Sequence, residues 1–261
     1  MTTLIAGGDS FVYGKELKDC QWGLTHSLST FPALLSKTYN LEYNCTAIPG
    51  YSNSAIARSV INSCLSVKDK VVLVTWTYTD RFEFSTEFSI VRQLPHRSNV
   101  WYGISPSNLD RNREYYPEFI DMVDKFLKYT GLTNYYRFYT TIKEILYLQY
   151  FLKQNKIPYL FTSADNAICF QNTEEILKYD DNVFTLRNML NEIDWNNWFL
   201  FPNKDVDWLS TKNPLGFFQW AKQNRYKFGP EFHPLEEAHM SAHNIIKDRF
   251  NELVIQNNFK N

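Results

Sequence analysis

The stretch from Leu4 to Gly14, Leu-Ile-Ala-Gly-Gly-Asp-Ser-Phe-Val-Tyr-Gly, constrains the fold and the chemistry of this chain more than any other. A buried strand that ends in two glycines can turn sharply, because glycine tolerates backbone angles that other residues avoid. In open α/β sheets, ligands bind beyond the carboxyl ends of the strands, where helix N-termini present free N–H groups. The stretch therefore predicts that Ser10 faces a substrate beside anion donors.

A purely structural interpretation of the same residues is also available. Asp9 and Ser10 are common turn and helix-capping residues, and a Gly-Asp-Ser tripeptide occurs by chance in many chains. Because so short a motif does not establish chemistry, support for catalysis has to come from residues elsewhere in the chain.

Strand and helix patterns alternate along most of the sequence. Strands are expected over residues 3–8, 43–48, 70–76 and 157–164, and helices over about 31–35, 54–65, 117–129, 134–154 and 234–250. Pro32 and Pro234 suit first helical turns, and Ser52 or Asn53 is a natural N-cap. The alternation predicts an α/β fold with a central parallel sheet covered on both faces.

Two stretches interrupt this pattern, at about 82–130 and 166–230, and we interpret them as insertions in one domain that spans residues 1–261. The second is rich in aromatic residues, among them Trp195, Trp198, Trp208 and Trp220. These rings predict a packed satellite subdomain, since aromatic residues dominate cores, or a wall over a ligand site. The aromatic stripe within 134–154 has helical spacing and predicts core packing.

Composition excludes several classes of function. The chain of 261 residues is 44% hydrophobic with a net charge of −1, which indicates a globular protein and argues against a nucleic-acid partner. The four cysteines form no C-x-x-C pair, so we expect reduced thiols, no metal and no cofactor. No signal segment or membrane-length apolar run is present, which predicts a cytoplasmic protein without a membrane partner.

Polar residues that follow successive strands assemble into a catalytic hypothesis. Ser10 follows the first strand, Gly50 and Asn53 follow the second, and His233 lies on a late loop. A serine hydroxyl becomes a nucleophile when an imidazole takes its proton and a carboxylate orients that imidazole. Glu231 is the nearest acid, and either its carboxylate or its carbonyl oxygen is a candidate for this role. The N–H groups of Ser10 and Gly50 and the Asn53 amide are candidate oxyanion donors.

Other polar residues are candidates for substrate contact. Asp9, Thr77 and Arg81 lie at the ends of the first and third strands, and Arg81 suits an acidic substrate or a surface ion pair. His239 is a candidate alternative base or a partner that supports the catalytic residues, although its position on a helix makes contact with Ser10 less direct. His239 and His243 are one helical turn apart, but without a supporting acid or cysteine we expect structural roles.

These blocks resemble the SGNH (GDSL-type) hydrolase family. The resemblance covers roughly the first 80 residues and the last 30, through Gly8-Asp9-Ser10, Gly50 with Asn53, and Glu231-Phe232-His233-Pro234. The chain is also similar to SGNH-like proteins of tailed bacteriophages. The resemblance implies a flavodoxin-like three-layer α/β/α sandwich, with Ser10 as nucleophile, His233 as base and the Ser10 and Gly50 N–H groups as oxyanion donors.

The chain departs from the family pattern in two places. The third block, Gly-x-Asn-Asp, is replaced by Thr75-Trp76-Thr77-Tyr78-Thr79-Asp80, so Asn53 or a threonine hydroxyl substitutes for its Asn, or the oxyanion site lacks one donor. Pro230 occupies the position of the usual Asp before the histidine, which leaves Glu231.

The sequence thus predicts a serine esterase that acts on a small-molecule or glycan ester, with an acylated carbohydrate as the substrate class that family analogy suggests. The competing hypothesis is a catalytically degraded SGNH-like structural or glycan-binding protein, for instance a phage accessory or virion protein, located in the host cytoplasm or the virion. A nucleotide-binding flavodoxin-like protein is a third hypothesis, but the Gly-rich fingerprint is incomplete. The oligomeric state is left open.

Overall fold

Short buried apolar runs alternate with amphipathic segments, and they form strands and helices in an α/β order. This computed structural model describes residues 1–21, 23–85, 101–106, 117–169, 185–203 and 214–255. The elements are β1 (Thr3–Gly7), α1 (Ser10–Tyr13), α2 (Phe31–Thr38), β2 (Glu42–Cys45), α3 (Asn53–Ser66), β3 (Lys70–Trp76), β4 (Phe82–Ser85), β5 (Trp101–Ile104), α4 (Pro117–Phe126), α5 (Asn134–Gln154), β6 (Tyr159–Ser163), α6 (Thr185–Asn191), α7 (Phe217–Gln223) and α8 (Glu236–Phe250). Short 3₁₀ turns (Asn166–Cys169, Trp195–Asn197) and π turns (Leu127–Gly131, Asn251–Ile255) complete the described structure.

In the described part of the chain, a four-stranded parallel sheet has the order β2-β1-β3-β6. Consecutive side chains of a strand point to opposite faces, so Leu4 and Ile5 enter different cores. Ile5 packs with α3 and α5, whereas Leu4 packs with α2, α7 and α8. The predicted α/β fold with a central parallel sheet between helical layers is confirmed.

Most element boundaries agree with the expectations from the sequence. The third strand and the helix over 134–154 have the predicted bounds, and the Ser52 side chain caps α3 by accepting from the Ala55 N–H. The second strand ends at Cys45, earlier than expected. The last helix begins at Glu236, so the expectation that Pro234 lies in its first turn is wrong. Pro234 instead forms a β-bridge with Phe228.

The aromatic residues of the second insertion extend the main cores. Trp198 is buried with β6 and α5, and Phe201, Phe217 and Trp220 are buried against α2 and α8. These side chains therefore belong to the two main cores and do not form a satellite core of their own. Trp208 lies outside the described residues, as do parts of both predicted insertions.

Within the first insertion, β4 and β5 pair antiparallel and pack with α4 to form a small cluster of their own. This hairpin lies beside the carboxyl edge of the parallel sheet, because an ideal Cβ at Gly103 of β5 would lie 3.5 Å from the Gly50 carbonyl oxygen. Among the described helices, none combines the length and the apolar character that a membrane crossing requires.

Candidate active site

Ser10 is the first residue of the short helix α1, directly beyond β1. The Asp9 carboxylate caps this helix by accepting from the Phe11 N–H at 3.0 Å. Ser10 is buried, and among the described residues neither its hydroxyl nor its N–H has a hydrogen-bond partner. An N–H at the first helical position has no partner inside its own helix, so it is available to an anion.

Asp9 stabilises the turn that presents Ser10. Its Oδ2 accepts from the Thr77 hydroxyl at 2.6 Å and from Arg81 Nη1 at 2.7 Å, and its side chain is fully buried. Arg81 also donates to the Thr77 hydroxyl at 2.8 Å and lies over the Tyr78 ring. A buried carboxylate paired in this way is costly to disturb, so the bond between Asp9 and Thr77 joins the ends of β1 and β3.

Glu16 is the acid that contacts the predicted base. Its Oε2 lies 2.6 Å from His233 Nδ1 and also accepts from the His233 N–H at 3.2 Å, while its Oε1 accepts from the Glu231 N–H at 2.9 Å. A carboxylate only accepts, so Nδ1 carries a proton, and in the neutral form of the ring Nε2 holds the lone pair. The His233 ring packs edge-on against Phe11, the neighbour of Ser10, at 5.6 Å between ring centroids.

The backbone around Glu16 is arranged to bring its carboxylate to this position. Glu16 has a φ of +71°, which is unusual for a residue with a side chain. An ideal Cβ at Gly229 would lie 2.5 Å from the Glu16 Cδ, so a side chain there would displace the carboxylate from this position. Burial raises the pKa of Glu16, but the hydrogen bonds from Glu231 and His233 outweigh it, and the net pKa is lowered.

The structure does not bring the Glu231 carboxylate to His233, contrary to the expectation from the sequence. That carboxylate lies on the surface and forms an ion pair with Lys15 at 2.6 Å. Glu16 lies more than 200 residues from His233 in the sequence, so proximity along the chain pointed to Glu231 instead. The available signal was the position of Glu16 in the loop that follows the Ser10 turn.

Asn53 supports the site but has no free amide hydrogen. Its Nδ2 donates to the Thr77 carbonyl at 3.2 Å and to the Thr141 hydroxyl at 3.3 Å, and its Oδ1 accepts from the Thr77 N–H at 2.9 Å. Asn53 therefore ties the start of α3 to the end of β3. Gly50, in the turn before α3, has a φ of +85°, and its N–H has no acceptor among the described residues.

His239 lies in the core between α8 and α2. Its Nδ1 accepts from the Phe31 N–H at 3.3 Å, and its other ring nitrogen donates to the Pro234 carbonyl. Burial, with a smaller effect of His233, lowers the pKa of His239 to about 3. His243 pairs with the Thr38 hydroxyl at 2.8 Å, so both histidines join α8 to α2, as a structural role predicts.

The described site thus contains a hydroxyl, an oriented imidazole and two free N–H groups near one sheet edge. No hydrogen bond joins the Ser10 hydroxyl to His233 Nε2. Such bonds are often long before a substrate binds. A cleft of about 170 Å³ adjoins this edge, and Arg81 and Asn53 form part of its wall.

No protein-family model matches this chain, and no curated protein matches it. Solved structures are similar to it at low sequence identity. A carbohydrate esterase has a TM-score of 0.45 at 11% identity, over 96% of this chain and 68% of that chain. A G-D-S-L family lipolytic protein from Desulfitobacterium hafniense has a TM-score of 0.39 at 12% identity, over 97% and 100%. The psychrotrophic esterase EstA from Pseudoalteromonas sp. has a TM-score of 0.44 at 11% identity, over 100% of both chains.

Proposed function

We propose that this protein is a serine ester hydrolase in which Ser10 is the nucleophile, His233 the general base and Glu16 the residue that orients the base. The observation that carries the proposal is the contact of 2.6 Å between Glu16 Oε2 and His233 Nδ1 beside the Ser10 turn. A carboxylate in this position fixes the tautomer whose Nε2 accepts a proton, which is what activation of a serine hydroxyl requires.

The reaction proceeds through an acyl-enzyme. His233 Nε2 takes the Ser10 hydroxyl proton while Oγ bonds to the ester carbonyl carbon, and the oxyanion accepts from the N–H groups of Ser10 and Gly50. The carbon–oxygen bond to the alcohol then breaks, and His233 returns the proton to that alcohol. Water repeats the two steps on the acyl-Ser10 and releases the carboxylic acid.

Arg81 completes the site from the side of the adjoining cleft. Its Nη1 is bonded to Asp9 and Thr77, while its Nε and Nη2 hydrogens have no partner among the described residues. Since Arg81 lines the cleft, these hydrogens are available to a carbonyl or hydroxyl oxygen of the substrate. A small-molecule or carbohydrate ester fits such a site, and an O-acylated sugar is the substrate class we propose.

The test is labelling with a fluorophosphonate probe together with hydrolysis of a short-chain aryl acetate. We expect the parent protein to be labelled on the peptide that contains Ser10, and Ser10→Ala to lose both labelling and turnover with an unchanged circular dichroism spectrum. Ser66→Ala, at an exposed serine at the end of α3, is the matched control and keeps both. Equal turnover by Ser10→Ala and the parent contradicts the proposal, and an unlabelled, inactive parent supports a catalytically degraded binding protein instead.

A further inference from the structure

A second cavity continues the cleft at the active-site edge along the β4–β5 hairpin. The two cavities, of about 170 and 230 Å³, adjoin each other because Ser54, Glu83 and Glu144 line both. The inner cavity is lined by Arg81, whose guanidinium is bonded to Asp9 beside Ser10. The outer one is lined by Arg58, Asn62, Glu83, Trp101 and Tyr147, which we call the hairpin groove.

Three charged side chains from the described residues line the hairpin groove: Arg58 and Glu83 pair with each other, and Glu144 forms an ion pair with Lys143 at 3.0 Å. Arg58 donates to both carboxylate oxygens of Glu83, at 2.7 and 3.4 Å, and the Glu83 side chain is only 4% exposed. The Arg58 guanidinium also lies over the Trp101 ring at 4.8 Å. The base of the groove is therefore a paired, planar surface without an unsatisfied charge, which suits a neutral ligand better than an ion.

The rim of the groove combines aromatic surface with polar groups that have no protein partner. Trp101 is 43% exposed and Tyr147 is 58% exposed. Among the described residues, the Trp101 indole N–H, the Tyr147 hydroxyl and the Asn62 amide make no hydrogen bond. An exposed ring beside free neutral donors and acceptors matches a sugar ring, which presents an apolar C–H face and a border of hydroxyls.

We propose that the hairpin groove binds a neutral oligosaccharide and presents its acylated residue to Ser10. The part of this proposal that concerns Ser10 rests on the proposed function, whereas sugar binding in the groove does not need it. Two contacts support the continuity of groove and site. Arg81 lines the inner cavity next to the groove and is bonded to Asp9 beside Ser10, and Gly103 of β5 approaches the Gly50 carbonyl at the proposed oxyanion site.

The experiment titrates Ser10→Ala, which cannot turn over a substrate, with xylohexaose, cellohexaose and chitohexaose in a calorimeter. We expect at least one neutral hexaose to bind with a Kd of about 1 mM or tighter, and hexagalacturonate, its anionic counterpart, to bind at least about tenfold more weakly. Adding Trp101→Ala to Ser10→Ala weakens binding by about tenfold or more, and Trp101→Phe retains most of it because an aromatic ring is kept.

Trp195→Ala is the matched control, because Trp195 is 41% exposed but lies far along the chain and lines neither cavity. Trp195→Ala is expected to leave the Kd for the hexaose unchanged. If Trp101→Ala does not fold, Tyr147→Phe and Asn62→Ala test the proposal instead. Each removes one exposed polar group of the groove, and each is expected to weaken hexaose binding severalfold.

Absence of binding by all three neutral hexaoses, or binding that none of the groove variants weakens, overturns the proposal. Failure of the proposed function has a different signature. In that case the parent hydrolyses no ester, while Ser10→Ala still binds the hexaose through Trp101.

Discussion

At the scale of single residues, two acids near Ser10 have different partners: Asp9 supports the turn, and Glu16 contacts His233, the proposed base. Asp9 is bonded to Thr77 and Arg81 and is fully buried, so its role is to hold the turn. Glu16 is bonded to the imidazole of His233 and to two backbone N–H groups of the same loop. The same carboxylate therefore fixes both the loop and the orientation of the ring, which makes Glu16 a positioning residue for the proposed reaction.

Glu16→Gln is expected to lower the kcat for an aryl acetate by about 10²- to 10⁴-fold with little change in KM, because an amide no longer enforces the tautomer with a free Nε2. Steady-state kinetics of the purified variant measures the effect. Glu231→Gln, a change of the same type in the same loop, removes only an exposed ion pair with Lys15 and keeps kcat within about twofold. Similar losses in the two variants would contradict the role assigned to Glu16.

At the scale of elements, two histidines of α8 bond to α2. One of them, His239, takes the place of the side-chain cap that α2 lacks. Thr30, the N-cap residue of α2, makes no capping hydrogen bond through its side chain, and the Phe31 N–H donates instead to His239 of α8. The His239 ring also stacks on Phe31 and packs on Phe217. A neutral imidazole is required here, since Nδ1 must accept, and so protonation and this helix contact exclude each other.

This contact predicts sensitivity to acid. The folded state holds the pKa of His239 at about 3, below its ordinary value of 6.5, so between these pH values the unfolded chain binds a proton that the folded chain does not. The free energy of unfolding should therefore fall as the pH drops below 6.5, by up to about 1.4 kcal/mol per pH unit.

Urea denaturation at a series of pH values measures this slope. The decisive range lies above 4.5, since carboxylates such as Glu16 lose their own stabilising effect only below that pH. His239→Gln should flatten the slope there, and His243→Gln, at the other histidine between α8 and α2, should change it much less. Identical slopes for the parent and His239→Gln would show that another group is responsible.

At the scale of the whole molecule, the sheet has a hydrophobic core on each face. Segments that are distant in sequence cover both cores. Trp198 and α6 cover one core beside α3 and α5, and Phe201, Phe217 and α8 cover the other beside α2. The irregular stretch after β6 is thus part of the main hydrophobic core. The return of the chain along this face also carries His233 back to the Ser10 turn.

Phe217→Ala is expected to lower the free energy of unfolding by about 3–5 kcal/mol, because it opens a cavity where Phe11, Phe31 and Phe201 meet. Phe232→Ala, at a phenylalanine that is 72% exposed, should change it by no more than about 0.5 kcal/mol. Chemical denaturation of both variants measures the difference. A small loss for Phe217→Ala would mean that the late segment is not part of the cooperative core.

The sequence by itself determined the fold class and the turn after the first strand that carries Ser10. Apolar runs such as residues 70–76 and the helical stripe of 134–154 are local patterns, and local periodicity is enough to define strands and helices. Glycines followed by Asp9 and Ser10 likewise define a turn at the end of a strand. Only backbone chemistry within a few residues is needed for such predictions.

Only the tertiary structure decided which acid contacts His233, which amides are free and where the late aromatic residues pack. Glu16 and Glu231 are the same residue type, so residue type alone does not distinguish them. The positive φ of Glu16 and the absence of a side chain at Gly229 allow the Glu16 carboxylate to reach the His233 ring. Asn53 has the right side chain for an oxyanion donor, yet Thr77 and Thr141 take both of its hydrogens. These outcomes depend on contacts between residues far apart in the chain, and no local pattern encodes the distances that such contacts require.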